Sequence, residues 1–119
     1  MSVLTGIDIN ALMDAACKDL SIAKELLKLF FELTGQEQTR LSAAAAQGDA
    51  PTASAVAHKI AGSCSACGMS ELAARFRELE RLCKGSLPDD LNERLQSVYG
   101  ELQNIRHGLE EYFNCSFAP

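Results

Sequence analysis

Two histidines, five cysteines and a scatter of carboxylates are among the side chains of this 119-residue chain able to act as nucleophiles, metal ligands or proton carriers. Cys64-Ser65-Ala66-Cys67 has the C-x-x-C spacing of a redox pair, and His58 lies close enough in sequence to suggest a zinc ligand beside it. Helical geometry separates them. With His58 at zero degrees and about 100 degrees per residue, Ala53, Val56, Ile60, Cys64 and Cys67 gather near the opposite side, with Ala57 on their flank. The sulfurs share an apolar face and the imidazole points away from it. A zinc site needs about four converging ligands, so no metal site is expected, and both thiols read as small core hydrophobes. A thiol or metal sensor is the weaker alternative.

His58 then sits at the middle of an outer face. Its neighbours there are Ser54, Ala55, Ala61, Gly62 and Ser65, all small. Outer faces usually carry Lys, Glu, Gln and Arg, which favour helix and solubility. Gly62 in mid-helix costs about 1 kcal/mol relative to alanine. A histidine on a cleared face can be approached by another protein without long side chains in the way. A lone exposed histidine is most often only solvated, and it is the cleared surround that favours the functional reading here. His107 also lies opposite its helix's apolar seam, but Glu101, Glu110 and Glu111 surround it. They would repel an incoming anion, so His107 reads as solvated surface.

The run from Ala57 to Met69, with His58, Ile60, Gly62, Ser63 and Gly68 in register, resembles the signature of histidine phosphotransfer (HPt) domains. That signature is a histidine, an apolar residue two places on, a glycine at the fourth place, small residues, and a second glycine at the tenth. The Leu72–Glu80 run is similar to the family's next helix. The motif covers about 25 residues and the helical pattern covers the chain. The resemblance implies a phosphorelay carrier. His58 takes a phosphoryl group from a sensor kinase or a receiver domain and passes it to an aspartate of a response-regulator receiver. Hybrid sensor histidine kinases and receivers are the implied partners. The chain has no cofactor of its own, and Mg²⁺ belongs to the receiver. Two alternatives remain: the substrate domain of a chemotaxis-type kinase, and an unphosphorylated adaptor that binds a receiver.

The chemistry fits such a carrier. Imidazole is largely neutral and nucleophilic at cellular pH, and it attacks phosphorus in line to form a covalent phosphohistidine. Positioning and charge neutralisation do most of the work in phosphoryl transfer. The expected surround is Ser54, Lys59, Ala61, Gly62 and Ser65. The family commonly has a lysine three places after the histidine, where this chain has Ala61. Lys59 is about 100 degrees round the helix; it either folds its stem toward the phosphoryl group or stays solvated. Ser54 and Ser65 are within reach of the ring or its phosphoryl group, with solvation the competing reading.

The elements that position His58 follow from apolar spacing. Asp8 caps a short first helix whose inner face is Ile9, Leu12, Met13 and Ala16. Asp19 caps a long second helix with a seam of Ile22, Leu26, Leu29 and Leu33, continued by Leu41 and Ala45, ending at Gly48. Asp49 and Pro51 start the third, which stops at Gly68. Ser70 caps a fourth with the seam Leu72, Phe76, Leu79 and Cys83. After the Gly85–Pro88 turn, Asp89 or Asp90 starts the last, with Leu91, Leu95, Val98, Leu102, Ile105, Leu109 and Tyr112 inside. No stretch alternates at strand period. The expected fold is all-α, an antiparallel four-helix bundle with a short additional N-terminal helix, one domain over residues 1–119.

Composition agrees. Hydrophobic residues make up 47% and aromatics 6%, with no Trp, so the core is aliphatic. The net charge of −5 comes without a cation cluster, which argues against nucleic acid. The fourth helix has a basic outer side of Arg75, Arg77, Arg81 and Lys84, balanced by Glu71, Glu78 and Glu80. It reads as a salt-bridged face, with steering toward an acidic receiver as a minor role. The most apolar stretch, Leu26–Leu33, is interrupted by Lys28 and Glu32, far short of the roughly 20 residues of a membrane span. The N-terminus has no basic start followed by an apolar run. Five cysteines, an odd number, fit reduced thiols. A cytoplasmic monomer is expected.

Overall fold

The computed structural model describes residues 4–117. Five helices follow one another: α1 (Ile9–Ala15), α2 (Leu20–Ala46), α3 (Ala50–Ala66), α4 (Ser70–Leu82) and α5 (Leu91–Phe113). Among the described residues there is no strand, and no helix is long and apolar enough to cross a membrane. Neighbouring pairs close a ring, α2 on α3, α3 on α4, α4 on α5 and α5 on α2, while α1 packs against α2. The α3–α4 pairing is the most extensive. The fold is the expected helical bundle.

Local chemistry sets the helix ends. The Asp8 carboxylate accepts from Ala11 N at 3.2 Å, and that of Asp19 from Ser21 N at 2.9 Å and Ile22 N at 3.2 Å. Asp49 accepts from Thr52 N at 3.2 Å. Each satisfies donors that the first turn leaves without an intrahelical partner. The Asp49 carboxyl is held below its usual range, the Thr52 side chain contributing most and the Thr52 backbone next. Ser70 does not cap α4. Met69 holds the cap position without a side-chain bond, and Ser70 is the first helical residue. Asp90 precedes α5, but its carboxylate takes Arg94 Nε at 2.9 Å rather than a backbone amide.

The second helix departs from the expected register. Its buried positions are Ala23, Leu27, Phe30, Thr34, Leu41 and Ala44. Leu41 belongs to both registers, but Ile22, Leu29 and Leu33 are exposed, and Leu26 and Ala45 are only partly buried. Two apolar stripes run side by side at helical spacing, and the bundle takes the one that carries Phe30. Thr34 joins that stripe because its hydroxyl donates to Phe30 O at 2.7 Å, so its burial leaves no polar group unpaired. In α5 the expected seam holds from Leu91 to Leu109, but Tyr112 is exposed and Phe113 is buried instead. Phe113 meets Phe117 at 6.3 Å, and Phe117 meets Phe31 of α2 at 5.7 Å. Glu110 holds this segment in place by accepting from Phe117 N at 2.8 Å.

The turn between α3 and α4 is a Schellman motif: Met69 N donates to Cys64 O at 2.9 Å and Gly68 N to Ser65 O at 3.2 Å. Gly68 has φ +82°, and a Cβ there would lie 2.7 Å from Asp8 O. Asp8 N in turn donates to Gly68 O at 2.8 Å, so this glycine seats the start of α1 on the end of α3. Gly48 ends α2 in the same way at φ +69°, but with open space around it. Gly62 also has open space and sits in mid-helix.

The cysteines are free. Cys64 is fully buried, and burial is the main cause pushing its thiol up to about 12. Burial raises Cys67 as well. Both sulfurs stay protonated at neutral pH, which suits packing rather than nucleophilic chemistry.

Two measurements check this account. In urea unfolding, Gly48→Ala should cost about 1 kcal/mol for its left-handed backbone. Gly68→Ala should cost clearly more, because a backbone clash is added, and Gly62→Ala should raise stability by about 1 kcal/mol. With limiting iodoacetamide at pH 7.5, mass spectrometry should find exposed Cys17 alkylated first and Cys64 last.

Candidate functional site

His58 stands on the outer side of α3 with 74% of its side chain exposed. Its Nδ1 lies 3.0 Å from Oε1 of Glu80, which reaches across from α4. An ionised carboxylate only accepts hydrogen bonds, so Nδ1 carries the proton and donates it. The lone pair is then on Nε2, on the far edge of the ring, facing solvent. Glu80 is itself fixed. Its side chain is 22% exposed, and its backbone carbonyl accepts from Ser54 Oγ at 3.0 Å. The ring therefore has a set tautomer and orientation, with a carboxylate placed to offset positive charge as Nε2 forms a bond.

The expected surround divides into three groups. Gly62 and Ser65 are exposed beside His58, as is Ala55. Ser54 is half-buried and engaged with Glu80 rather than with the ring. Lys59 neither turns to His58 nor stands free: its Nζ is 3.2 Å from Oε1 of Glu37 on α2, and Oε2 of Glu37 takes Arg40 at 2.9 Å.

Ala61 departs from the expected open face. It is 1% exposed. Because α3 is flanked by α2 on one side and α4 on the other, its buried arc is wide. Ala61 lies about 60 degrees from His58 on the side of Ser54 and Ala57, where α4 covers the helix. Ala55 lies at the same angle on the other side and stays open. A lysine at position 61 would have to thread its stem along the α3–α4 seam to reach solvent.

Glu80 is the site residue that sequence reasoning missed. It closes the Leu72–Glu80 run, but it read only as an anion balancing the basic side of the fourth helix. A pair separated by 22 residues leaves no mark in helical spacing; it depends on how two helices cross. His107 is 69% exposed, with Nδ1 3.5 Å from Oε1 of Glu110. That carboxyl is held below its usual range, chiefly by the hydrogen bond from the Phe117 backbone.

The exposed leucines of α2 border this face. Leu29 is 51% exposed and Leu33 47%. Leu33 lies one turn before Glu37 on the same side of α2, and Glu37 is bonded to Lys59 of α3. The antiparallel course of the two helices therefore sets Leu33 beside the stretch of α3 that follows Lys59, where Gly62 lies. Exposed apolar groups of α2 thus neighbour the small residues of α3 on the side of the bundle that carries the exposed imidazole.

No curated protein and no solved structure matches the chain. The family model of the Hpt domain matches residues 25–112, from the first third of α2 to the end of α5. The match contains His58, Gly62, Gly68 and Glu80 and leaves α1 outside. Covering well over half of the 119 residues, it shows that the chain belongs to the Hpt domain family, whose role is histidine phosphotransfer in two-component signalling.

Proposed function

We propose that Nε2 of His58 is the phosphoryl carrier, loaded by a sensor kinase or by the phosphorylated receiver of a hybrid kinase, and unloaded onto an aspartate of a response-regulator receiver. The observation that carries this reading is the bond from Nδ1 of His58 to Glu80, made while the ring stays open to solvent. In loading from a receiver, the Nε2 lone pair attacks phosphorus, the P–O bond to the aspartyl oxygen breaks, and the carboxylate is regenerated. The proton on Nδ1 remains in its bond to Glu80, whose charge balances the cationic ring. Unloading reverses each step. The receiver brings its acidic pocket and Mg²⁺, and with them most of the catalysis. This chain contributes a rigid nucleophile and so acts as a carrier rather than an enzyme. It works as one HPt domain over residues 1–119, a monomer in the cytoplasm.

The partner docks, in this reading, on the surface formed by Gly62 and Ser65 of α3 and the exposed Leu29 and Leu33 of α2. Small side chains let another backbone come close to Nε2. The leucines provide apolar area, each worth about 2 kcal/mol when fully covered. Gly62 makes no packing contact that its lack of a side chain would explain, which supports a role in docking.

Incubation with phosphorylated receivers should give an acid-labile label on the parent and on His107→Gln, and none on His58→Gln. Labelling of His58→Gln at the parental level would overturn the assignment. Glu80→Gln keeps an acceptor near Nδ1 but loses the charge, and should slow transfer roughly tenfold, the scale of one hydrogen bond to a charged group. Ser65→Arg should slow transfer strongly while circular dichroism and Tm stay near the parent's. A parental rate in that variant would remove Ser65 from the docking surface.

A further inference from the structure

The phosphotransfer reading leaves one requirement unmet on α3. A phosphohistidine carries about two negative charges at neutral pH, by analogy with other phosphorylated side chains. On this protein Glu80 adds a carboxylate nearby. Position 61 is a buried alanine and Lys59 is turned to Glu37, so α3 places no cation beside the ring.

His58 forms part of a groove of ≈ 530 Å³ that runs between the first half of α3 and the end of α4. Ser54 and Ala55 line one wall, and Glu80 and Lys84 the other. Helical side chains lean toward the N-terminus of their helix, which inclines the imidazole toward this groove. Lys84 is the one cationic side chain in the lining. It is exposed, and it lies four residues after Glu80, one turn further along the chain. Among the described residues its ammonium has no ion-pair partner, whereas Arg75 is paired with Glu101 and Arg81 with Glu78.

We propose that Lys84 clamps the phosphoryl group on Nε2 of His58, supplying from the end of α4 the cation that α3 lacks. The division of labour follows from position. Glu80 holds the protonated edge of the ring, and Lys84 meets the oxygens carried at its other edge. The long, unpaired stem of Lys84 spans the groove only once there is a dianion to reach for. Phosphoryl transfer passes through a loose transition state in which the charge of the transferring group is spread out. A cation fixed on the ground-state dianion therefore lengthens the life of the phosphohistidine. The competing structural role is a lysine favoured beside the C-terminal carbonyls of α4. That role affects folding and leaves the phosphorylated form alone.

The test rests on the phosphotransfer reading and separates its own failure from that of the reading. The intact chain is treated with phosphoramidate. Nε2 attacks phosphorus, the P–N bond of the reagent breaks and ammonia leaves, so no partner protein is needed. Phosphorus NMR then follows hydrolysis of the phosphohistidine in the parent, Lys84→Met and Lys84→Arg. The expected result is a lifetime shortened roughly two- to fivefold in Lys84→Met, the scale of an exposed ion pair. Lys84→Arg should restore the lifetime, and the difference should shrink at 1 M salt, where screening acts within about 3 Å. Circular dichroism and Tm confirm that the variants are folded. Label on His58 with equal lifetimes in all three proteins overturns the clamp and leaves the carrier assignment standing. No label on His58 in the parent overturns both.

Discussion

Helix α3 meets α4 through the small side chains of Ser54, Ala57 and Ala61, and the two alanines are almost completely buried. That close approach makes the α3–α4 pairing the most extensive in the bundle and brings the α4 backbone within 3.0 Å of Ser54 Oγ. Once the Glu80 carbonyl is fixed there, its carboxylate lies beside His58 Nδ1 with little freedom. A larger residue at position 57, which is fully buried, would push α4 outward and move Glu80 off the ring. The chemistry on the surface thus depends on packing one layer below it.

The same closeness explains the distribution of charge. A helix gripped on both sides has a narrow open face, and on α3 that face is given to His58 and small residues. Lys59 lies on the α2 side and is drawn to Glu37. The groove along the end of α4 is where a lysine can sit near the ring without covering it. Glycine use follows a related logic. Gly68 is required by a left-handed backbone pressed against Asp8 O, whereas Gly62 has nothing around it to require its absence of a side chain. The first serves the fold at a position where alanine is strained. The second weakens its helix, a cost that is intelligible if a partner must come close.

Much of this was legible in the linear chain. Aspartates before apolar-periodic runs marked three capped helix starts, because an unpaired first turn needs an acceptor wherever it occurs. The histidine-to-glycine spacing pointed to the family, and the angular separation of His58 from Cys64 and Cys67 placed the sulfurs on the inner face without reference to other helices. These features depend on bonds and angles within one helix, which residue order determines directly.

What the sequence left open depended on relations between helices. Spacing alone could not choose between two adjacent apolar stripes on α2, since both satisfy the helical period; the choice fell to whichever stripe its packed neighbours α3 and α5 covered, and Phe30 and Thr34 went inside while Leu29 and Leu33 stayed out. Nor could it show that Ala61 and Ala55, equally far from His58 in angle, meet opposite fates, because that asymmetry comes from α4 lying on one side only. The Glu80 contact and the position of Lys84 in the same groove are of this kind too. A residue's own helix dictates which way it faces, but only the packed bundle decides what stands opposite.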